Sequence, residues 1–150
     1  IPLIRIMPKA GPDFYIDAEG ELMPISKSSS VRVIIANGHI NFSYPNKKMN
    51  IEDSIVTDQV KDLWLLAKNI NEDKFMKAQS EQLFVTGNKE FELIPKVGKH
   101  TVMIGDIFNY ENKLKYLKHF YIHVLNKEGW RNYSYINLKY KGQIVCIKNE

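Results

Sequence analysis

The sequence has little cysteine and no long apolar run. Its 150 residues include one cysteine, Cys146, which excludes an internal disulfide framework and any metal site built from several cysteines. The longest apolar runs, residues 33–36 and 63–67, fall far below the roughly 20 residues that a membrane-spanning helix needs. No secretory signal pattern opens the chain. Composition therefore predicts one globular core and leaves the location of the protein open.

The common catalytic motifs are also missing. We find no phosphate-binding glycine loop, no nucleophile elbow and no metalloprotease helix motif, which argues against the common enzyme classes only. His119 and His123 have the i, i+4 spacing of a shared metal site, but two ligands leave such a site incomplete. Cys146 lies in an apolar segment, where a packing role is favoured over a nucleophilic one. We predict no catalytic residues, no metal site and no cofactor.

Positive charge is concentrated toward the carboxyl terminus. The chain has a net charge of +4, and residues 96–150 contain 10 basic and 4 acidic residues. A nucleic-acid interface would need this charge on one face with interleaved aromatic side chains. Lys113, Lys115 and Lys118 beside Tyr116 resemble such a face only faintly. A solvated helix face is the preferred interpretation, and no nucleic-acid partner is expected.

The order of periodic segments predicts an α+β fold, with a mostly antiparallel sheet and two helices packed on it. The helices are expected at residues 52–70, with Trp64 buried, and 109–126, with Leu117 buried. An exposed loop is expected at residues 39–50. The predicted strands cover residues 1–7, 14–17, 21–25, 31–35, 80–86, 91–95 and 101–104.

The last seventeen residues are the most informative part of the sequence. Residues 133–140 alternate so that Ser134, Ile136, Leu138 and Tyr140 share one face, as in a half-buried strand. A Lys141-Gly142 turn and a short apolar strand at residues 143–147 follow. The pattern predicts a C-terminal β-hairpin whose second strand is an exposed sheet edge, and such an edge can accept another strand.

Several weak motifs occur in a characteristic order along the chain. They are the aromatic-acidic-glycine hairpin of residues 14–24, the helix through Trp64, the strands around Leu83 and Phe91, the helix at Lys113-Leu114, and the strand of residues 135–140. In this order they resemble the extracytoplasmic β domain of the FtsQ/DivIB bacterial cell-division proteins. The resemblance implies that residues 11–150 are this β domain. It also implies that residues 1–10 end a preceding POTRA-like domain or form a linker.

The same resemblance implies a function. Family members are non-enzymatic scaffolds of the divisome that join FtsB- and FtsL-type proteins and recruit septal cell-wall synthesis proteins. It implies a single N-terminal membrane helix, upstream of residue 1, with this domain extracytoplasmic. It places partner binding on the last strand, at Gln143, Ile144, Val145, Cys146 and Ile147. We expect Lys139 and Tyr140, before the turn, to supply side-chain specificity. Asn137 and Lys139 depart from the acidic residue and the arginine of the family pattern, so a bidentate arginine contact is not available.

Two other function classes stay open from the sequence. The first is a hydrolase or transferase that acts on cell-wall material with a cleft carboxylate near Asp17 or Asp106. Convergent acids in a pocket would favour it. The second is a basic nucleic-acid-binding module, which would require the lysines of residues 96–150 to lie on one face.

Overall fold

A computed structural model describes residues 1–25, 31–125, 129, 132–140 and 143–148. Within these ranges the chain forms ten strands that hydrogen-bond into one sheet. The strands are β1 (Pro2–Ile6), β2 (Phe14–Asp17), β3 (Glu21–Pro24), β4 (Ile34–Gly38), β5 (Met49–Asn50), β6 (Ser80–Val85), β7 (Phe91–Pro95), β8 (Thr101–Gly105), β9 (Tyr133–Asn137) and β10 (Val145–Lys148). The predicted turn at residues 141–142 lies outside the described residues.

The sheet is mixed, which corrects the prediction of a mostly antiparallel one. Its strand order is β10-β9-β8-β7-β6-β4-β1-β2-β3-β5. Six neighbouring pairs are antiparallel, but β1 with β4, β4 with β6 and β8 with β9 are parallel. Parallel neighbours need a long crossover connection, and helices supply two of the three here. The two resulting βαβ units do not repeat at a regular interval along the chain. For that reason the order of predicted strands and helices did not indicate parallel pairing.

The described residues contain three α-helices, where two were predicted. The first, α1 (Asp58–Asn71), begins later than expected because Thr57 caps it, with its side chain accepting the Val60 N–H. The short α2 (Lys74–Gln79) follows directly and is capped by Asp73. Residues 51–56 form turns rather than the predicted first helical turns. None of the helices in the described ranges is long and apolar enough to cross a bilayer.

The last helix ends in an unusual way. It comprises α3 (Tyr110–Phe120) and a π-helical turn (Tyr121–Leu125), whereas the sequence predicted one continuous helix over residues 109–126. Tyr121 is buried in the π-helical turn, and its hydroxyl lies 2.9 Å from Nε2 of the buried His100. Burial raises the pKa of the Tyr121 hydroxyl. The wider π turn lets this aromatic residue and Leu125 both enter the core.

The hydrophobic core lies between the helices and one face of the sheet, which we call the helix face. Leu63, Leu66 and Leu117 of the helices belong to one buried cluster with Leu83 and Val102 of the sheet. Leu117 is fully buried as predicted, but Trp64 is only partly buried. The expected loop at residues 39–50 is not wholly exposed, because it buries Ile40, Tyr44 and Met49 and includes the short β5. Phe14 anchors this segment through an aromatic contact with Tyr44 at 5.0 Å between ring centroids.

The opposite side of the sheet, which we call the open face, is lined by partly exposed residues such as Ile35, Phe84, Ile94 and Met103. They alternate along their strands with the core residues of the helix face. β1 belongs to this same sheet, since it pairs with β2 on one side and with β4 on the other. The domain boundary at residue 10 stays a prediction.

Candidate partner-binding edge

β10 lies at one end of the sheet, as the sequence predicted for the last strand. It pairs antiparallel with β9, with Val145 opposite Asn137, Cys146 opposite Ile136 and Ile147 opposite Tyr135. Because β9 occupies one side of β10, the other side presents the backbone donors and acceptors of an edge strand. The edge is accessible, since Val145, Ile147 and Lys148 are all exposed.

The pairing contains a bulge that the sequence did not predict. The register shifts between Ile147 and Lys148, so that Lys148 lies opposite Tyr133. Tyr133 is therefore turned into the core, where its ring packs against Phe120 at 5.6 Å between centroids. The skipped residue, Ser134, lies on β9, and a bulge bends and twists the strand that contains it. Beyond the bulge the predicted alternation holds, because Ile136 and Leu138 are buried and Tyr135 is exposed.

Lys139 is already engaged within the domain. Its ammonium group lies 3.0 Å from a carboxylate oxygen of Glu90, and its aliphatic stem lies over Gly105. A Cβ added at Gly105 would come within 2.9 Å of Lys139 Cγ. Asn137, which stands where the family pattern has an acid, accepts the Lys139 backbone N–H through Oδ1 at 2.9 Å. Lys139 thus helps to attach the end of β9 to β7 and β8.

The remaining predicted contact residues fall into two environments. Tyr140 is 57% exposed just beyond β9, and its carbonyl accepts the Gln143 backbone N–H at 3.2 Å. Ile144 and Cys146 are partly buried and pack against the core. The structure therefore brings all seven predicted residues to one end of the sheet, with their side chains on different sides of it.

A groove beside the edge was missed by the sequence analysis. It has a volume of about 290 Å³ and lies between α3, the π-helical turn and the segment that leads into β10. Its lining residues are Tyr116, His119, Phe120, Val124, Gln143 and Ile144. The i, i+4 spacing of residues 116, 120 and 124 was a possible signal, but Tyr116 was considered only beside the lysines of this helix and Val124 only as part of its core stripe.

The lysines of the carboxyl-terminal third make separate local contacts. Lys113 lies 3.4 Å from the Asp106 carboxylate, Lys118 lies 2.6 Å from that of Asp73, and Lys139 pairs with Glu90. These acids belong to the segment after β8, to the cap of α2 and to the segment before β7. The paired lysines thus contact three separate parts of the fold.

The candidate catalytic and metal-binding residues make contacts within their own segments or with near neighbours. Asp17 Oδ1 accepts the backbone N–H groups of Glu19 and Glu21 in the β2–β3 turn. Asp106 accepts the Phe108 backbone N–H at 3.1 Å and also pairs with Lys113. The rings of His119 and His123 lie 4.1 Å apart, but the described residues contain no group of three or more metal-ligating side chains.

A model of a known protein family matches this chain. It is described as FtsQ/DivIB, C-terminal related, and it covers residues 1–147. No curated protein matches the sequence. The match spans the sheet, the three helices and the edge strand β10 almost to its last residue. The chain belongs to the FtsQ/DivIB, C-terminal related family of bacterial cell-division proteins.

Proposed function

We propose that this domain is a non-enzymatic scaffold of the divisome and that its β10 edge binds an FtsB-type partner by strand addition. The observation that carries the proposal is the exposed terminal edge of the sheet in a member of a cell-division family. Strand addition uses main-chain hydrogen bonds for affinity and side-chain pockets for specificity. Each such hydrogen bond contributes only about 0.5–1.5 kcal/mol, so side-chain anchors must add to them. Tyr140, with 57% of its surface exposed, is one available anchor.

The family match supports the proposal of a wider role in cell division. We propose that an FtsL-type protein joins the same assembly and that the assembly recruits septal cell-wall synthesis proteins. The domain would then act outside the cytoplasm, held to the plasma membrane by a helix upstream of residue 1. We also propose that a POTRA-like domain or linker ends near residue 10. The upstream coding sequence is the direct test, because it should encode an apolar run of roughly 20 residues followed by a small POTRA module.

Proline substitution tests strand addition at β10. Of two adjacent residues in an antiparallel edge strand, one directs its N–H to the neighbouring strand and the other directs it outward. We expect one of the variants Val145→Pro and Cys146→Pro to lose affinity for the FtsB-type partner with little change in melting temperature. The other should lose both affinity and stability, because it also breaks the pairing with β9.

The measurement is fluorescence anisotropy with the labelled extracytoplasmic segment of the FtsB-type protein from the same organism. Melting temperatures report the fold of each variant separately. Ile55→Pro is a control for an exposed residue in a turn segment outside the sheet. If both β10 variants bind this segment as tightly as the wild type, strand addition at β10 is wrong, and the α3 surface around Lys115 becomes the site to test.

A further inference from the structure

The open face next to β10 carries a concentrated apolar patch. Tyr135 and Ile147 lie directly opposite each other, and Val145 follows on the same side of β10. Their exposed fractions are 44%, 57% and 41%. Cross-strand neighbours of this kind contact one another, so the three side chains form one surface rather than scattered apolar residues. A strand added to β10 would place every second side chain beside this patch.

The helix face next to β10 is apolar as well. Ile144 and Cys146 pack against the core from this side. Beside Ile144 lies the groove of about 290 Å³, where Tyr116, 44% exposed, and the partly buried Phe120 form the wall on α3. The alternate side chains of an added strand would point to this side. The groove has room for a large apolar side chain, whereas a short polar one would leave Tyr116 and Ile144 partly exposed to water.

Charge gives a third constraint on the partner. Residues 129–148 contain four basic residues, Arg131, Lys139, Lys141 and Lys148, and no acidic one. Glu90 pairs with Lys139, and Lys148 lies 5.7 Å from the Tyr133 ring centroid. The segment as a whole still has a positive excess. Such an excess favours the association of an acidic partner segment and disfavours a basic one.

We propose that the β10 edge selects a strand with apolar side chains on both of its faces and with acidic residues flanking it. The inference rests on the proposed function, because it specifies which strand the edge accepts. An ordinary edge of a half-solvated sheet would prefer a strand with one apolar and one polar face. Here both sides of β10 offer apolar surface, which only a strand with apolar side chains on both faces would cover.

The test uses three peptides of about nine residues, each displayed at the end of the same soluble carrier protein. The first has Val, Ile and Tyr on both faces and Asp/Glu flanks. The second has the same flanks and Thr at alternate positions, which keeps strand propensity and makes one face polar. The third has two apolar faces and Lys/Arg flanks. We expect the first to bind about tenfold or more tightly than the second, since burial of added apolar surface strengthens association. We also expect it to bind more tightly than the third, most of all at low salt.

Variants of the protein test the contribution of each face of the sheet to peptide binding. Ile147→Thr alters the open-face patch, and Tyr116→Gln alters the groove. Each should weaken the first peptide about 3- to 10-fold, as expected for one lost apolar contact. The second peptide can place its apolar face on only one side, so at least one of the two variants should leave its affinity unchanged. Ile55→Thr is the matched control, because Ile55 is 57% exposed like Ile147 and lies in a turn segment outside the sheet.

The outcomes separate this inference from the proposed function. Three results would each overturn the selection of a strand that is apolar on both faces. They are equal affinities for the first and second peptides, no binding by any peptide, and no effect of Ile147→Thr and Tyr116→Gln on the first peptide. Equal affinities for acidic and basic flanks would overturn the charge preference. If the native partner still responds to the proline variants in β10, strand addition survives these failures. If it does not respond, strand addition is wrong.

Discussion

Trp64 joins α1 to the turn between β2 and β3. Its indole Nε1 donates a hydrogen bond to the Asp17 carbonyl oxygen at 2.9 Å, and Lys68 Nζ lies 5.0 Å from the ring centroid. The residue is partly buried, since its ring sits at the margin of the core and its polar edge needs a partner. One side chain thus combines packing with a specific contact to the sheet.

Substitutions at Trp64 should separate these two contributions. We expect Trp64→Phe to lower the free energy of unfolding by about 1 kcal/mol, because it removes the hydrogen bond and keeps most of the apolar surface. Trp64→Ala should cost about 2–3 kcal/mol, less than a fully buried aromatic residue. Chemical denaturation measures both, with Lys68→Ala as a control for the cation near the ring. A Phe variant as stable as the wild type would mean that the hydrogen bond contributes nothing.

Asp62 is a carboxylate whose environment in the folded protein disfavours its ionised form. Burial raises its pKa to about 6, and the charges of Asp58 and Asp106 add to the effect. The folded pKa therefore lies above the roughly 3.9 of an unfolded chain. Between these two pKa values the folded state binds the proton of Asp62 more tightly than the unfolded state does. Ionised Asp62 therefore lowers the free energy of unfolding above about pH 6, whereas below about pH 4 Asp62 is protonated in both states and does not lower it.

Asp62→Asn should therefore stabilise the protein in a pH-dependent way. We expect a higher melting temperature for the variant at about pH 8 and little difference from the wild type near pH 4. Thermal melts across this range provide the measurement. Asp58→Asn gives a control, because it removes one of the charges that act on Asp62 and should produce a smaller gain. An increase for Asp62→Asn that is equal at both ends of the range would contradict the assignment.

At the scale of elements, β4 depends on a glycine at its end. Gly38 has φ +101°, a region that L side chains rarely adopt, and an added Cβ would collide with the Val85 carbonyl oxygen of β6. The close approach of these two backbones allows β4 and β6 to pair up to their last residues. Gly87, in the turn after β6, has no contact closer than 3.9 Å for an added Cβ.

The two glycines make a matched pair for mutation. We expect Gly38→Ala to destabilise the protein by about 2 kcal/mol or more, because backbone strain and a clash with main chain add together. Gly87→Ala should change stability by less than about 0.5 kcal/mol. Urea denaturation gives both values. Similar effects of the two substitutions would mean that the β4–β6 approach is not as close as described.

The ion pair between the cap of α2 and α3 is a second contact between elements. Asp73 caps α2 by accepting the Met76 N–H at 3.0 Å, and its other carboxylate oxygen lies 2.6 Å from Lys118 Nζ of α3. The hydrogen bond from Lys118, together with the backbone bonds of the cap, lowers the pKa of Asp73 despite partial burial. A lowered pKa means that the contact stabilises the folded state above the unfolded pKa and is lost as the pH falls through the folded value.

Lys118→Met should remove the ion pair and keep the cap. We expect a loss of about 0.5–1 kcal/mol near neutral pH, as is usual for a partly exposed pair, and a smaller difference from the wild type as the pH drops below about 4. Asp73→Ala should cost more, since it removes the cap as well. Denaturation at both pH values provides the test. A loss for Lys118→Met that does not depend on pH would show that the alkyl chain, not the charge, carries the contact.

On the scale of the whole molecule, the sheet has a protected middle and two terminal strands. β1, β4 and β6 lie in the interior of the strand order, whereas β5 and β10 are terminal. Interior strands exchange their backbone hydrogens only by large-scale opening, whereas edge strands open locally. The proposed binding site therefore lies on one of the least protected strands.

Hydrogen exchange followed by mass spectrometry tests this arrangement. We expect the slowest exchange in β4 and β6 and fast exchange in β5 and β10. Addition of the FtsB-type segment should slow exchange in β10 and leave β5 unchanged, which makes β5 an internal control. A β10 strand as protected as β6 in the free protein would contradict its position as an accessible edge.

The sequence alone determined features that depend on near neighbours. The alternation around Ile136 and Leu138 placed these two residues on one face, and both are buried, while the stripe through Leu117 predicted the buried face of α3. The strand positions 14–17 and 91–95 were also correct. Each pattern is local, because a side chain's direction follows from the strand or helix period of its own segment. The order of weak motifs along the chain indicated the family that the match then confirmed.

Only the tertiary structure decided which distant segments become neighbours. The parallel pairs β1–β4, β4–β6 and β8–β9 and the groove between α3 and Ile144 all join parts of the chain that are far apart in sequence. A strand's own period does not specify its partner or the direction of pairing, since the same alternation suits either ladder. That choice depends on how the helices cover one face of the sheet, and only the packed molecule contains this information.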